Sequence, residues 1–244
     1  MKFISLFLSQ FHINLTFDEQ FQKSVNQTLQ NMEFLFSIVK FIGILGVLRF
    51  AYYVFKICYT YFSKPKNLKD EKVQWCMITG ASSGVGYELA KKVASQGVNL
   101  IILGRNEERL TNLETEIKNQ PGNQSEIIKI PLDFSNLKES TKIFSEIIPS
   151  KSQNGKITVD ALFICHGAAE IKAIENLTDE EIERYNNSYI TSNIIMTNDF
   201  AQQGGKGMTV CSSANSFVYT GYIAQYGAVK RWMNTFYNSI KIEV

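Results

Sequence analysis

The chain has 244 residues, 25 of them Lys or Arg and 23 Asp or Glu, which gives a formal net charge of +2. So small an excess predicts no nucleic-acid partner, because neutralising a phosphate backbone takes many clustered basic side chains. Hydrophobic residues form 45% of the chain, enough for a sizeable core, so a wholly disordered protein is excluded. The four cysteines include no C-x-x-C pair, and we interpret them as small buried side chains in a reducing compartment, with no bound metal and no disulfide framework.

A polar N-terminal segment, residues 1–33, precedes an apolar and aromatic run over residues 34–62. As a helix rising about 1.5 Å per residue, this run is long enough to cross a hydrocarbon layer of about 30 Å, so a membrane helix is predicted there. Lys40 and Arg49 interrupt the run, and a helix lying in the interface or packed on its own domain stays an alternative. Lysines enrich the linker that follows, residues 63–72, which predicts a cytosolic location for the rest of the chain.

After residue 72, short apolar runs alternate with helical patterns. The runs predict strands at 73–79, 98–103, 126–132, 159–165 and 207–212. The patterns between them predict helices at 85–96, 107–118, 137–148, 179–200 and from 224 onward. Strands that alternate with helices in this way need a parallel sheet covered by helices on both faces. We therefore predict an α/β domain with a doubly wound parallel sheet over residues 73–244.

A glycine-rich turn, Thr79-Gly-Ala-Ser-Ser-Gly-Val-Gly86, stands between the first predicted strand and the first predicted helix of this domain. Glycines there allow a tight turn and a close approach to a pyrophosphate, whose charge is met by free N–H groups at the start of the helix. A turn of this kind in this position predicts a dinucleotide site. The candidate cofactor contacts are Thr79, Gly80, Ser82, Ser83, Gly84, Val85 and Gly86.

Tyr226 and Lys230 form a Y-x-x-x-K pair, and Ser213 precedes the tyrosine by thirteen residues. With the glycine turn, this order of motifs resembles the short-chain dehydrogenase/reductase family over residues 73–244. Residues i and i+4 share a helix face, so the ammonium of Lys230 would lie beside the phenol of Tyr226 and make it a usable general acid. The resemblance implies a Rossmann-like fold and a reaction in which Ser213 hydrogen-bonds the substrate carbonyl and Tyr226 protonates it. Lys230 would also hold the nicotinamide ribose.

The end of the second predicted strand, where Arg105 stands, indicates the cofactor. A guanidinium suits a 2′-phosphate, which favours NADP, although Glu107 could reach a ribose 2′-hydroxyl instead. The resemblance also implies that Asp133 contacts the adenine. It further implies that Gly167, in the turn after the fourth strand, belongs to the cofactor site.

The sequence departs from the family's pattern in three places. His166 replaces the asparagine of the turn after the fourth strand. The family's catalytic asparagine falls at Tyr189, with Asn187 and Ser188 as the nearest polar alternatives. The chain ends within the helix that begins near Tyr226, so we expect strands six and seven to be missing and the domain to be incomplete. Either the sequence is a piece of a longer enzyme or the product is defective as a catalyst.

The resemblance implies a membrane-anchored enzyme of the endoplasmic reticulum that uses NADPH to reduce the ketone of a lipid-like substrate on the cytosolic side. Membrane-anchored members of the family that fit this pattern act on 3-keto sphingoid bases, 3-oxoacyl-CoA, or steroids and retinoids, and the sequence does not choose among them. The alternative is a non-catalytic, truncated membrane scaffold that keeps the nucleotide fold. Family members often pair through their fourth and fifth helices, so a homodimer is also implied.

Overall fold

The computed structural model describes residues 19–63, 67–151 and 157–243 of the chain, which divides into two compact units after Pro65. The described part of the first unit is a single helix, α1 (Glu19–Phe62), in which no residue is buried. By length and composition alone this helix could cross a membrane. The lysines at 64 and 66 of the predicted basic linker, and the opening segment before residue 19, lie outside the described residues.

In the second unit, five strands form one sheet in which every paired neighbour is parallel. The strands are β1 (Trp75–Thr79), β2 (Asn99–Gly104), β3 (Ile127–Pro131), β4 (Ala161–Ile164) and β5 (Gly207–Val210). Their order across the sheet is β3-β2-β1-β4-β5. The direction of winding therefore reverses between β1 and β4, and ligands of such sheets bind beyond the carboxyl ends of the strands at that point.

Helices connect the strands and confirm the predicted alternation. They are α2 (Gly84–Ala94), α3 (Glu107–Lys118), α4 (Leu137–Ser140), α5 (Ile148–Lys151), α6 (Asp179–Asn186), α7 (Ser192–Gln202) and α8 (Ala224–Glu243). Turns of π-helix, at Ile143–Ile147 and Asn187–Thr191, interrupt two of the stretches that the sequence predicts as continuous helices. Short 3₁₀ turns lie at Ile174–Asn176 and Ala214–Ser216.

Two hydrophobic cores lie on the opposite faces of the sheet. In β2, Leu100 and Ile102 point into the core that contains residues of α2 and α3, such as Val93 and Leu110. Ile101 and the other alternate side chains point into the core built with α6, α7 and α8. Because a strand turns successive side chains to opposite faces, continuous apolar strands bury both faces at roughly 1.5–3 kcal/mol for each large side chain. This arrangement confirms the predicted doubly wound sheet.

Candidate active site

The glycine turn joins β1 to α2 and can be built only from small residues. Gly80 has a φ of +67°, and a Cβ placed on it would lie 2.7 Å from the backbone of His166. A Cβ on Gly86 would lie 2.5 Å from the carbonyl oxygen of Gly80. Both distances are far below van der Waals contact, so the close packing of α2 against the turn requires glycine at these two positions.

The N-terminus of α2 is open toward a cavity. Ser83 is the N-cap residue, and its side chain makes no capping hydrogen bond. A Cβ added at Gly84, whose φ is +61°, would meet no atom within 4 Å. The first N–H groups of a helix have no intrahelical partner, so this end of α2 offers donors and a positive dipole to an anion in the cavity.

This cavity, of about 390 Å³, extends from the glycine turn across the ends of β2, β4 and β5 to α8. It brings together most of the residues that the sequence proposes for cofactor binding. Those in its lining are Gly80, Ser82, Ser83, Gly84, Val85, Arg105, Asp133, Gly167, Tyr226 and Lys230. Thr79, which is fully buried, and Gly86 are not part of that lining and instead support the turn from behind.

Tyr226 and Lys230 lie one turn apart on α8 and both face this cavity. The Nζ of Lys230 is 5.8 Å from the centroid of the Tyr226 ring and donates a hydrogen bond of 2.7 Å to the carbonyl of Cys211. Only 3% of Lys230 is exposed, and this burial lowers its pKa from the usual value of a lysine. The pair thus has the side-by-side arrangement that the i, i+4 spacing predicts.

Two adjacent serines follow β5 and take different positions. The Oγ of Ser213, the predicted substrate contact, accepts a hydrogen bond of 3.2 Å from the backbone of Asn215 and caps the 3₁₀ turn. Ser212 lines the cavity instead, and its Oγ is buried with no hydrogen-bond partner among the described residues. Ser212 is not predicted from the sequence, because the spacing of thirteen residues before Tyr226 points only to Ser213.

His166 links the ends of β1 and β4 to the π-helical turn. A carbonyl can only accept, so Nε2 of His166 donates to the carbonyl of Ser188 over 2.9 Å, and Nδ1 accepts from the hydroxyl of Thr79 over 2.8 Å. The imidazole also stacks on Phe134, with 4.0 Å between ring centroids. Burial lowers the pKa of His166 to about 4, so the ring is neutral at pH 7. Through these two hydrogen bonds, His166 joins Thr79 at the end of β1 to the backbone of Ser188, at the position where the family has asparagine.

Tyr189, at the position where the family's catalytic asparagine is expected, packs against the turn after β4. Its hydroxyl donates to the carbonyl of Ala168 over 2.7 Å and accepts from the Ala168 N–H. Tyr185 donates to the same carbonyl over 2.9 Å. Burial raises the pKa of Tyr189, so its phenol keeps its proton. The two phenols fix the loop that carries Gly167. Of the three tyrosines in the cavity lining, Tyr226 is the one with no such bond to the backbone among the described hydrogen bonds.

Arg105 and Asp133, the predicted contacts for the adenosine half, lie at the same end of the sheet. Arg105 is exposed and follows β2 directly. Glu107, the alternative ribose contact, belongs to the first turn of α3 and is not part of the cavity lining. The carboxylate of Asp133 accepts hydrogen bonds from the N–H and hydroxyl of Ser135 at 2.9 and 2.8 Å. This local turn holds Asp133 at the edge of the cavity.

A second cavity, of about 340 Å³, adjoins the first and shares Glu170, Tyr185 and Tyr226 with it. Apolar side chains form much of its wall, namely Ala173, Ile174, Leu177, Ile223 and Ala224. Its charged groups are largely neutralised, because Glu170 pairs with Arg184 and Lys172 pairs with Glu181, each over 2.6 Å. The phenol of Tyr226 therefore lies between a polar cavity at the glycine turn and a more apolar one.

A parallel sheet with a glycine turn at its switch point defines a nucleotide-binding protein of the α/β class. Residues 74–244 match the family model described as short chain dehydrogenase, and the chain belongs to that family. A short-chain dehydrogenase from Sphingobium yanoikuyae in complex with NADPH superposes with a TM-score of 0.61 at 22% identity, covering 70% of this chain and 65% of the other, so the fold is shared.

Two relatives with named activities match different shares of the chain. The chain is 28% identical over 202 residues to 11-beta-hydroxysteroid dehydrogenase-like 2 of Arabidopsis thaliana, covering 79% of this chain and 62% of the relative. It is 29% identical over 147 residues to a 3-ketodihydrosphingosine reductase of Debaryomyces hansenii, covering 59% of this chain and 43% of the relative. The chain thus spans less than two thirds of the length of these relatives.

Proposed function

We propose that the protein is an NADPH-dependent oxidoreductase that reduces the ketone of a lipid-like substrate, with Tyr226 as the general acid. The observation that carries the proposal is the continuity of the cavity between the glycine turn and the Tyr226–Lys230 pair. A cavity that joins a phosphate-binding turn to a candidate proton donor is suited to a dinucleotide whose reactive ring reaches the tyrosine.

The residues of the cavity fit a dinucleotide phosphate. The open N-terminus of α2 and the clear space at Gly84 suit a pyrophosphate, and the exposed guanidinium of Arg105 suits a 2′-phosphate. When bound, the nicotinamide supplies the hydride. The choice of NADP over NAD rests on the guanidinium of Arg105 at the end of β2.

The chain's own groups would manage the proton and the orientation of the ketone. The phenol of Tyr226 protonates the carbonyl oxygen, and the ammonium of Lys230 stabilises the phenolate that remains. A hydroxyl from Ser213, or from the unpartnered Ser212, donates a hydrogen bond to the same oxygen. A positioned general acid of this kind contributes about 10²- to 10⁴-fold in rate.

The second cavity and α1 support a lipid-like substrate. An apolar wall next to Tyr226 suits a hydrocarbon chain or ring system. The matched relatives include enzymes named for steroids and for 3-keto sphingoid bases. The exposed apolar side chains of α1 suit a helix that crosses a bilayer, with the second unit on the cytosolic side, as at the endoplasmic reticulum. Substrates of this class partition into the membrane in which such an enzyme is anchored.

A substrate panel tests the proposal. The full chain in detergent micelles is mixed with NADPH and, separately, with a 3-keto sphingoid base, a 3-oxoacyl-CoA and a ketosteroid, and consumption of NADPH is followed. We expect turnover with at least one of these long-chain or polycyclic ketones and none with a short water-soluble ketone. If NADPH binds but no substrate is turned over, the non-catalytic membrane scaffold is favoured instead. The reason to consider that alternative is Tyr189, which stands at the position of the family's catalytic asparagine.

A further inference from the structure

We propose that Cys165 and Cys211 form a dithiol site in the cavity wall, which a peroxide converts to a disulfide. The pair follows from the register of two neighbouring strands. Ile164 of β4 and Val210 of β5 are direct partners, and the N–H of Cys211 donates to the carbonyl of Ile164 over 2.8 Å. The strands end at this pair, and Cys165 and Cys211 are the next residue of each segment, so the two cysteines leave the sheet side by side.

This placement meets the first geometric condition of a disulfide. Neighbouring strands lie about 4.8 Å apart, and disulfides join residues whose Cα atoms are about 4.4–6.8 Å apart. Ile164 and Val210 both belong to the core built with α6, α7 and α8, so the residue that follows each of them projects toward the opposite face of the sheet. Burial raises the pKa of Cys165, and the nearby charge of Cys211 raises it further.

Both thiols can be reached from the cavity. Cys165 and Cys211 are half-buried and belong to the lining that also contains Gly167 and Lys230. Cys76 is buried in β1, and Cys58 is exposed on α1 in the other unit. The chain therefore offers one buried and one exposed cysteine as internal comparisons.

The proposed reaction is a two-electron oxidation of the pair by hydrogen peroxide or a lipid hydroperoxide. One sulfur attacks the peroxide, the O–O bond breaks, and a sulfenic acid and water (or the lipid alcohol) are formed. The second sulfur then attacks the first, the S–S bond forms, and the S–O bond breaks with loss of water. The two thiol protons are transferred to oxygen, and the peroxide is reduced to water, or to water and the lipid alcohol. Burial raises the pKa of Cys165 to about 11, so this thiol is protonated at pH 7.

The disulfide would act on the machinery of the cavity through Lys230. The Nζ of Lys230 donates a hydrogen bond to the carbonyl of Cys211 and lies 3.4 Å from the point that a Cβ on Gly167 would occupy. Drawing the ends of β4 and β5 together shifts that carbonyl and the Gly167 loop. We expect the oxidised chain to bind NADPH more weakly. This consequence rests on the proposed function, whereas formation of the disulfide does not.

The test uses the full chain in detergent, treated with hydrogen peroxide in the presence and absence of NADPH. We expect a mass loss of about 2 Da, the two thiol hydrogens, and one cross-linked peptide that joins Cys165 to Cys211. A thiol reductant restores the starting mass. At a concentration ten times its Kd, NADPH should slow the reaction about tenfold, because the free fraction falls as 1/(1 + [L]/Kd).

Variants distinguish the pair from the other cysteines. Cys165→Ser and Cys211→Ser should each abolish the mass loss, while the matched control Cys58→Ser should leave it unchanged. An unchanged mass, a sulfinic acid on a single cysteine, or a cross-link that uses Cys58 or Cys76 would overturn the proposal. A Cys165–Cys211 disulfide that forms equally fast with and without NADPH would uphold the dithiol site and contradict its placement in a cofactor site.

Discussion

The hydroxyl of Thr79 donates to Nδ1 of His166 over 2.8 Å, which ties the end of β1 to the end of β4 at the point where the sheet changes its direction of winding. The same hydroxyl accepts from the N–H of Cys165 over 3.0 Å. A short polar network therefore fixes the turn after β4 against the glycine turn. Its central ring is neutral, because burial lowers the pKa of His166 to about 4.

The depressed pKa of His166 predicts a loss of stability in acid. An unfolded histidine binds a proton below about pH 6.5, whereas the folded one does not until about pH 4. The contribution of His166 is thus complete above pH 6.5 and is lost as the pH falls from 6.5 to 4, by roughly 3 kcal/mol in the free energy of unfolding. Chemical unfolding of the full chain in detergent across this range measures the loss.

The variant His166→Asn isolates this effect from the carboxylates that titrate nearby. An amide does not titrate, so we expect the variant to show a smaller fall in the free energy of unfolding between pH 6.5 and 4 than the parent chain. Equal slopes for the two proteins over this range would show that His166 does not carry the acid sensitivity.

The variant Tyr226→Phe should abolish ketone reduction and keep cofactor binding. Removing the phenol oxygen removes the proposed proton donor, for which a rate loss of about 10²- to 10⁴-fold is expected. The aromatic ring, which lies beside Lys230, remains in place. Tyr219→Phe is the matched control, because that tyrosine is 96% exposed. Turnover of the Tyr226 variant at the parent rate would exclude this tyrosine as the general acid.

The variant Arg105→Ser should weaken NADPH binding without weakening NADH binding. Hydrogen bonds to a charged group contribute about 1.5–3 kcal/mol, so the Kd for NADPH should rise about tenfold to a hundredfold. Arg109→Ser, one turn further along the exposed side of α3, is the control. Equal losses for NADPH and NADH would mean that Arg105 does not contact a 2′-phosphate.

The variant Gly86→Ala should destabilise the second unit and impair cofactor binding together. Its Cβ would lie 2.5 Å from the backbone oxygen of Gly80, which cannot rotate away, so the turn must shift at a cost of about 1–3 kcal/mol. Gly207→Ala, where a Cβ meets nothing within 4 Å, should change neither property. Thermal unfolding and NADPH titration of the two variants provide the comparison. Equal melting temperatures and equal NADPH affinities for the two variants would contradict the tight packing of α2 on the turn.

Periodicity predicted the sheet well because the three central strands, β1, β2 and β4, bury both faces and are therefore continuously apolar. The predicted strand at 98–103, for example, is observed as β2 (Asn99–Gly104). The helix predicted over 137–148 is divided by a π-helical turn. Pro149 lies just beyond that turn in α5, and proline cannot donate the N–H of a regular helix.

Other features depend on tertiary contacts that a single sequence does not contain. The carbonyl of Ser188, within the π turn Asn187–Thr191, accepts from His166, a residue 22 positions earlier. The choice between two adjacent serines depends on how the chain turns after β5, which motif spacing cannot resolve. The interpretation of all four cysteines as buried side chains was wrong, because only Cys76 is buried.

Binding of NADPH to the full chain in detergent, followed by the fluorescence of the reduced nicotinamide, is the decisive measurement for the proposed cofactor site. We expect saturable binding that is at least about tenfold tighter than that of NADH, and that weakens in Gly86→Ala and Arg105→Ser. No saturable binding, or binding that neither variant alters, would contradict a cofactor site between the glycine turn and the Tyr226–Lys230 pair.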